Sequence, residues 1–531
     1  MLYIFWNKLV TTTSGGAVLI AFFTIISKLL GLFRDRLLAS YFGAGSLLDS
    51  YYAAFKLPDL IFNTLVLGAL ASAFIPVFTR IWLADKDRAL KLSNTVLNYL
   101  MLALIILSAL FVLLAPNIVN LIVPGFSGDQ LRQTVDLTRI MLISIIFFGI
   151  SNVIGGILNS LKKFLTFSLA PVFYNLGIIL GILIFYPAFG FVGLAWGVVL
   201  GSGLHFLIQL PEVIRSGWVY RFSWQITDEV KRVFKLMLPR TLGLAAGQVN
   251  QLVITMVAST LMAGSIAVFN LANNLQSFPI SIFGVSLAIA VFPVFSQALA
   301  QDDKQMFKTA FSIHFRRVIF LIIPVSIFIL LLRAQLVRVI LGSGNFDWSD
   351  TYYTAQTLGW FVVSLFAQSL IPMLARSFYA LEDTKTPVIV SFVSITVNIF
   401  GSIWLGKLYG VIGLAMAFSV AAILNMILLM VILRLRVGYL DDKKIIWSTF
   451  KISFNSLLSG AVVYLMLRAM AAVVDMSTFA GIFLQGLAAG LVGSVFYLGI
   501  SLIFGAEEVM VVRNWLSHHL KPLVRKNGQT E

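Results

Sequence analysis

The chain has 531 residues, 59% hydrophobic and only 11% charged, with a net charge of +16 and no cysteine. Soluble domains carry roughly 25% charged and 45–50% apolar residues, so this composition excludes a water-soluble surface. The missing cysteines exclude disulfides, thiolate catalysis and Cys-ligated metals.

In hydrocarbon every backbone N–H and C=O needs an internal partner, so only helices and closed barrels cross a bilayer. The apolar runs here are long and continuous, as in 102–115 and 318–332, and lack the short alternation of barrel strands. They predict an all-α polytopic membrane protein. The excess positive charge fits cytoplasmic loops rather than nucleic-acid binding. The first apolar stretch, after Lys8, is too long for a signal-peptide core and is read as a retained span.

In chain order the apolar segments lie near 15–42, 47–79, 93–121, 134–160, 167–187, 190–212 and 234–262. They continue near 264–298, 310–340, 354–380, 386–406, 411–433, 449–472 and 479–504. The count predicts fourteen transmembrane helices. Most of the 38 Lys and Arg fall in every second connection, which supports an even number of spans with both termini cytoplasmic.

Two short strings recur. Phe74-Ile75-Pro76-Val77-Phe78 returns as Val291-Phe292-Pro293-Val294-Phe295, 217 residues later, and Gly190-Phe191-Val192-Gly193 returns as Gly410-Val411-Ile412-Gly413, 220 residues later. Each pair lies six helices apart, the parallel repeat found in transporters, with a substrate site expected between the halves. The expected organisation is two six-helix lobes, 1–218 and 219–440, then two further helices over 441–505. An amphipathic cytoplasmic tail covers 506–531.

Charge is concentrated in the first two helices: Lys28, Arg34 and Asp35, with the polar Ser27 beside them, in the first, and Asp49, Lys56 and Asp59 at or in the second. A charge at the bilayer centre costs about 2.5–3.5 kcal/mol on insertion scales, so such groups face a partner or a cavity. Mutual pairing, as of Lys56 with Asp59, and a hydrated cavity holding an anionic ligand both remain open. Pro58 predicts a kink. Helix seven opens with Pro239-Arg240, and helix eight carries Asn270, Asn273, Asn274 and Gln276, side chains that either line a cavity or glue helices. No Asp or Glu occurs from Lys231 to Ala300, which disfavours a carboxylate ion site there. His205 and His314 are isolated and read as packed or interfacial. No nucleophile triad, metal spacing or phosphate loop is present, so neither an enzyme nor a cofactor or metal is expected.

The segment from Ser27 to Phe78, with S-K-L-L-G-L-F-R-D, F-G-A-G, Asp49, A-F-K-L-P-D and A-F-I-P, resembles the MurJ (MviN) family of lipid II flippases. That family belongs to the multidrug/oligosaccharidyl-lipid/polysaccharide exporter superfamily. The segment from Leu238 to Gln297 is a second match. The resemblance implies two lobes around a cationic cavity and a lipid-tail groove on the last two helices. Lys28 then takes the place of a cavity arginine, Arg34 retains one and Asp49 retains an outer aspartate. Phe62 and Asn63 occupy paired-arginine positions, Leu67 a glutamate position and Asn274 an arginine position, with Lys56 and Arg240 as candidate replacements.

The resemblance further implies a bacterial cytoplasmic-membrane transporter of lipid II, or of a similar polyprenyl-pyrophosphate-linked glycan. Membrane lipids and cell-wall synthesis proteins are its expected partners, and no nucleic acid. A flippase for a capsule or O-antigen unit, and a non-transporting scaffold for wall synthesis, stay open as alternatives.

Overall fold

The computed structural model describes residues 13–509; within that range the side chains of 13–15, 17–18, 67–72, 239–240, 242–243 and 246 lie outside the described set. The first twelve residues and most of the expected amphipathic tail, 510–531, also lie outside it.

Among the described residues the chain is helical, and its helices follow the predicted order. They are α1 (Thr13–Phe42), the broken run α2 (Ser46–Ala54, Lys56–Ile61, Phe62–Leu70 and Ala71–Ala84), α3 (Lys86–Ile122), α4 (Gly128–Ser160) and α5 (Phe164–Phe189). Then come α6 (Val192–Arg215), α7 (Asp228–Ser259), α8 (Ser265–Ala300), α9 (Lys304–Leu341) and the bent pair α10 (Trp348–Val363 and Leu365–Ala380). The series ends with α11 (Lys385–Tyr409), α12 (Val411–Val437), α13 (Asp442–Ala471) and α14 (Phe479–Ile503).

Ten of these helices are long and apolar enough to cross a membrane, and eleven if the α10 pair, bent by 45°, counts as one span. The predicted fourteen is therefore not reached by that measure. The other three segments are α1, which carries four charges between Lys28 and Arg36; α2, which is interrupted; and α7, whose first turns are charged. Parts of all three also lie outside the described side chains.

Four of the long helices start at a side-chain cap. Asp85 accepts from the Arg88 amide, Thr227 from Val230, Asp303 from Met306 and Thr478 from Gly481, satisfying N–H groups that the helix leaves orphaned. The outward face is apolar, with Leu113 77% and Leu435 79% exposed, as a lipid-facing surface requires.

The two recurring strings occupy matching structures. Pro76 and Pro293 each sit inside a helix that directly follows a π-helical stretch, Phe62–Leu70 and Ile280–Val285 respectively. Gly190 (φ 65) and Gly410 (φ 62) each turn the chain between two helices in a conformation that a Cβ would strain. In the turns after α4 and α10, Lys162 and Glu382 both take φ 58.

The chain divides into two compact units. The first runs to Asn270 and takes in Ser343–Asp347; the second holds Leu271–Gly342 and the chain from Trp348 onward. The first has a core around Phe74, Phe78, Leu104, Ile154 and Trp218. The second packs around Phe295, Phe307, Phe311, Phe378 and Leu429. Within the first unit, Gly177 and Gly181 of α5 meet Gly201 and Gly197 of α6, where an added Cβ would fall 2.2 and 2.5 Å from the opposing Cα. This is the small-residue seam by which membrane helices approach closely.

Candidate functional site: a braced cation in the first helix

Arg34 is the centre of the charged cluster in α1. Its Nε and Nη2 donate to Asp35 Oδ1 at 3.0 and 2.8 Å, and its Nη1 donates to Asn175 Oδ1 on α5 at 3.1 Å. Asn175 Nδ2 in turn donates to Ser27 Oγ (3.2 Å), to the Ser27 carbonyl (3.3 Å) and to the Pro171 carbonyl (3.0 Å). Residues seven apart share one stripe of a helix, so a single amide on α5 bridges Ser27 and Arg34. Gly31, midway between them, makes room, since Asn175 Oδ1 stands 3.8 Å from where a Cβ would be.

Asp35 is buried, at 2% exposure, while the Arg34 side chain keeps 21%. A guanidinium has five N–H donors; two of Arg34's make no hydrogen bond among the described residues. Lys28 lies within electrostatic range of both Arg34 and Asp35 and leaves the trio with one net positive charge. Tyr51, Tyr52 and Tyr174 also lie within electrostatic range of Arg34.

Of the two readings left open for the charges of α2, the described residues do not show the mutual pairing of Lys56 with Asp59. Lys56 Nζ donates to Asn270 Oδ1 at 3.4 Å, and no ion pair within 4.0 Å joins it to Asp59 among the described residues. Lys56 directly follows Phe55, where the regular helix is interrupted. Asn270 is fixed in turn by its own bond to the Ile266 carbonyl at 2.7 Å.

Asp49 is a helix cap. Its Oδ2 accepts from the Gly264 amide and its Oδ1 from the Ala267 amide, both at 2.7 Å, at the N-terminus of α8. A carboxylate there satisfies orphan donors and complements the helix dipole. Both oxygens are committed to backbone, and the residue is buried at 2% exposure.

Phe62, at a position where the resemblance places an arginine, packs on Phe148 with centroids 4.7 Å apart. Phe148 also meets Tyr174 (5.1 Å) and the His205 ring (5.3 Å). His205 belongs to a packed polar knot: Ser151 Oγ lies 2.6 Å from its Nδ1, and Gln209 Nε2 donates to Ser151 Oγ at 2.6 Å. It is thus packed, as the sequence suggested.

The structure therefore gathers Ser27, Lys28, Arg34 and Asp35 into one cluster with Asn175, and sets Asp49 and Lys56 against the start of α8. Arg240 lies on α7 with its side chain outside the described set, as does that of Leu67. Asn274 falls in the second unit and is partly buried. Sequence reasoning missed Asn175, Tyr51, Tyr52 and Tyr174. An amide and three phenols in apolar helices carry no local signal, and only the α1–α5 packing brings Asn175 to Arg34. No group of three His, Cys, Asp or Glu residues among those described is suited to hold a metal.

The second unit has its own buried charge centre. Arg316 of α9, 5% exposed, donates through Nη1 to Glu508 at 2.5 Å and Glu507 at 3.1 Å. Ser448 of α13 also donates to Glu508, and Lys444 pairs with Glu507 at 3.0 Å. The hydrogen bond from Lys444, joined by the Arg316 charge, holds the Glu507 carboxyl below its ordinary range.

The family described as Lipid II flippase MurJ matches residues 38–484. A probable lipid II flippase MurJ of Vibrio cholerae is 30% identical over 461 residues, covering 84% of this chain and 88% of that protein. One of Bdellovibrio bacteriovorus is 29% identical over 510 residues, covering 94% and 96%. The solved structure of a lipid II flippase MurJ in an inward closed conformation has a TM-score of 0.77 at 26% identity, over 92% of this chain and 99% of that one. An inward-facing multidrug-resistance MATE transporter of the MOP superfamily shares the fold alone, at 18% identity and a TM-score of 0.65 over 78% of this chain and 96% of that one. With a match across residues 38–484 and relatives alike along most of its length, the chain belongs to the MurJ family of lipid II flippases.

Proposed function

We propose that this protein is a multi-pass transporter of the bacterial inner membrane that moves lipid II, the undecaprenyl-pyrophosphate-linked peptidoglycan precursor, from the inner to the outer leaflet. The observation that carries the reading is Arg34, held in place from two sides while two of its N–H groups stay uncommitted. A forked guanidinium fixed in advance suits a pyrophosphate better than a mobile ammonium does. Lys28 adds the net charge, and Lys56 and Arg240 complete the cationic set.

The headgroup crosses by alternating access, the protein exposing its polar site to one side and then to the other. The polyprenyl tail stays in lipid along α13 and α14. Residues 1–218 and 219–440 act as the two moving lobes, and the chain spans the bilayer fourteen times with both termini cytoplasmic. Proteins of cell-wall synthesis are its partners. The experiment is depletion of the resident flippase in a bacterium and expression of this chain. Restored growth with lipid II accessible at the outer face supports the reading. Lysis despite normal insertion overturns it.

One observation favours a second reading, export of another lipid-linked glycan. Phe62 and Asn63 are neutral where the family resemblance places two arginines, and Phe62 is built into an aromatic cluster. Complementation of a capsule or O-antigen flippase mutant, but not of the lipid II defect, would select it.

A further inference from the structure

Asp59 of α2 is a half-buried carboxylate without a partner among the described residues. No Lys, Arg or His nitrogen of those residues comes within 4.0 Å of it, and it accepts no side-chain or backbone hydrogen bond from them. Lys56, one turn earlier, is committed to Asn270 instead. An ionised group in a membrane segment is costly unless a partner or a water-filled cavity receives it, and it marks a functional position by default.

The surroundings of Asp59 are aromatic. Asp59, Phe62 and Asn63 stand three and four residues apart, on one face of α2. All three are half-buried, and the Asn63 amide also lacks a hydrogen-bond partner among the described residues. Phe62 packs on Phe148 and Phe148 on Tyr174, with centroids 4.7 and 5.1 Å apart. Tyr174 lies within electrostatic range of both Asp59 and Arg34, so the carboxylate and the guanidinium share one phenol as a neighbour.

The two ends of this surface select opposite charges. Arg34 has free N–H donors and suits an anion. At Asp59 the carboxylate and the negative faces of the rings repel an anion and attract a cation. A hydroxyl could donate to the carboxylate but would leave its charge uncompensated. An ammonium supplies three donors and the opposite charge together. Phe62 fits this role: an arginine there, three residues on, would itself pair with Asp59, whereas phenylalanine leaves the carboxylate open and adds a ring.

We propose that Asp59, with the rings of Phe62 and Tyr174, binds a primary ammonium on the transported headgroup while Arg34 holds its pyrophosphate. The inference rests on the lipid II reading above and adds that the peptide carried must offer a free side-chain amine.

The test uses the purified full chain and lysine-containing lipid II with its side-chain amine either free or N-acetylated. The two forms are mixed in equal amounts and their retention is read by native mass spectrometry. The wild type is expected to retain the free-amine form about tenfold over the acetylated one, the worth of one charge-assisted hydrogen bond. Asp59→Asn should bring that ratio close to one. Asp59→Glu, which keeps the charge, should hold it above the Asn variant. Thermal unfolding checks the folding of both variants. Equal retention of the two forms by the wild type overturns this inference and leaves lipid II as the substrate. An unchanged ratio in Asp59→Asn overturns the role of Asp59. Retention of neither form by the wild type overturns the lipid II reading, and this inference falls with it.

Discussion

In the proposed function Arg34 serves as a ligand because its neighbours, rather than its own rotamer freedom, fix its direction. Asn175→Leu keeps the volume but removes the bridge to Ser27 and Arg34, so transport should fall while the protein still inserts; outer-face lipid II measured beside membrane abundance checks this. Lys56→Met tests the proposed compensation, and full activity in that variant would remove Lys56 from the cationic set. Asp49→Ala should act on stability instead. It orphans the Gly264 and Ala267 amides, and loss of a helix cap costs about 1 kcal/mol, more where buried donors are left unpaired. A lowered unfolding temperature in detergent, with residual activity in proportion to folded protein, is the expected result. The charges of α1 were legible in the sequence because charge in an apolar run stands out. Asp49 was legible as an unusual residue but not as a cap, because its partners lie 215 and 218 residues away.

At the scale of elements, two joints carry charge, one at the Asp383 turn and one where Arg316 of α9 meets the residues after α14. Asp383 precedes α11. Burial pushes its carboxyl up, but bonds from the Thr386 hydroxyl and amide and the Lys385 amide, with Arg436 at 2.8 Å, outweigh burial and hold it below the ordinary range. A depressed carboxyl contributes stability that is present above its unfolded pKa, about 3.9, and is lost as pH falls through the folded value. Asp383→Ala should therefore cost about 1 kcal/mol at neutral pH, and the gap from wild type should close as unfolding is measured below about pH 3.9. Arg316→Ala should cost more, about 3–5 kcal/mol, because it leaves the buried Glu508 carboxylate unpaired. Helix order and the repeat were readable from apolar runs and from the Pro76/Pro293 and Gly190/Gly410 pairs. The breaks in α2 were only partly readable. Pro58 announced a kink, but the π-helical stretch that follows depends on tertiary packing.

For the whole molecule, the proposed topology can be read directly, since the chain has no native cysteine. Asp302→Cys, in the turn after α8, should react with an impermeant maleimide only after permeabilisation. Ser477→Cys, before α14, should react in intact cells. The reverse pattern would invert the topology and place the basic loops outside. The central claim is that Arg34 and Lys28 carry the anionic headgroup of lipid II. The most direct measurement is the fraction of lipid II accessible at the outer face of cells depleted of their own flippase and expressing either this chain or its Lys28→Gln/Arg34→Gln variant at equal membrane abundance. The account predicts that the native chain restores outer-face lipid II and the double variant leaves it inside; equal restoration by both would contradict it.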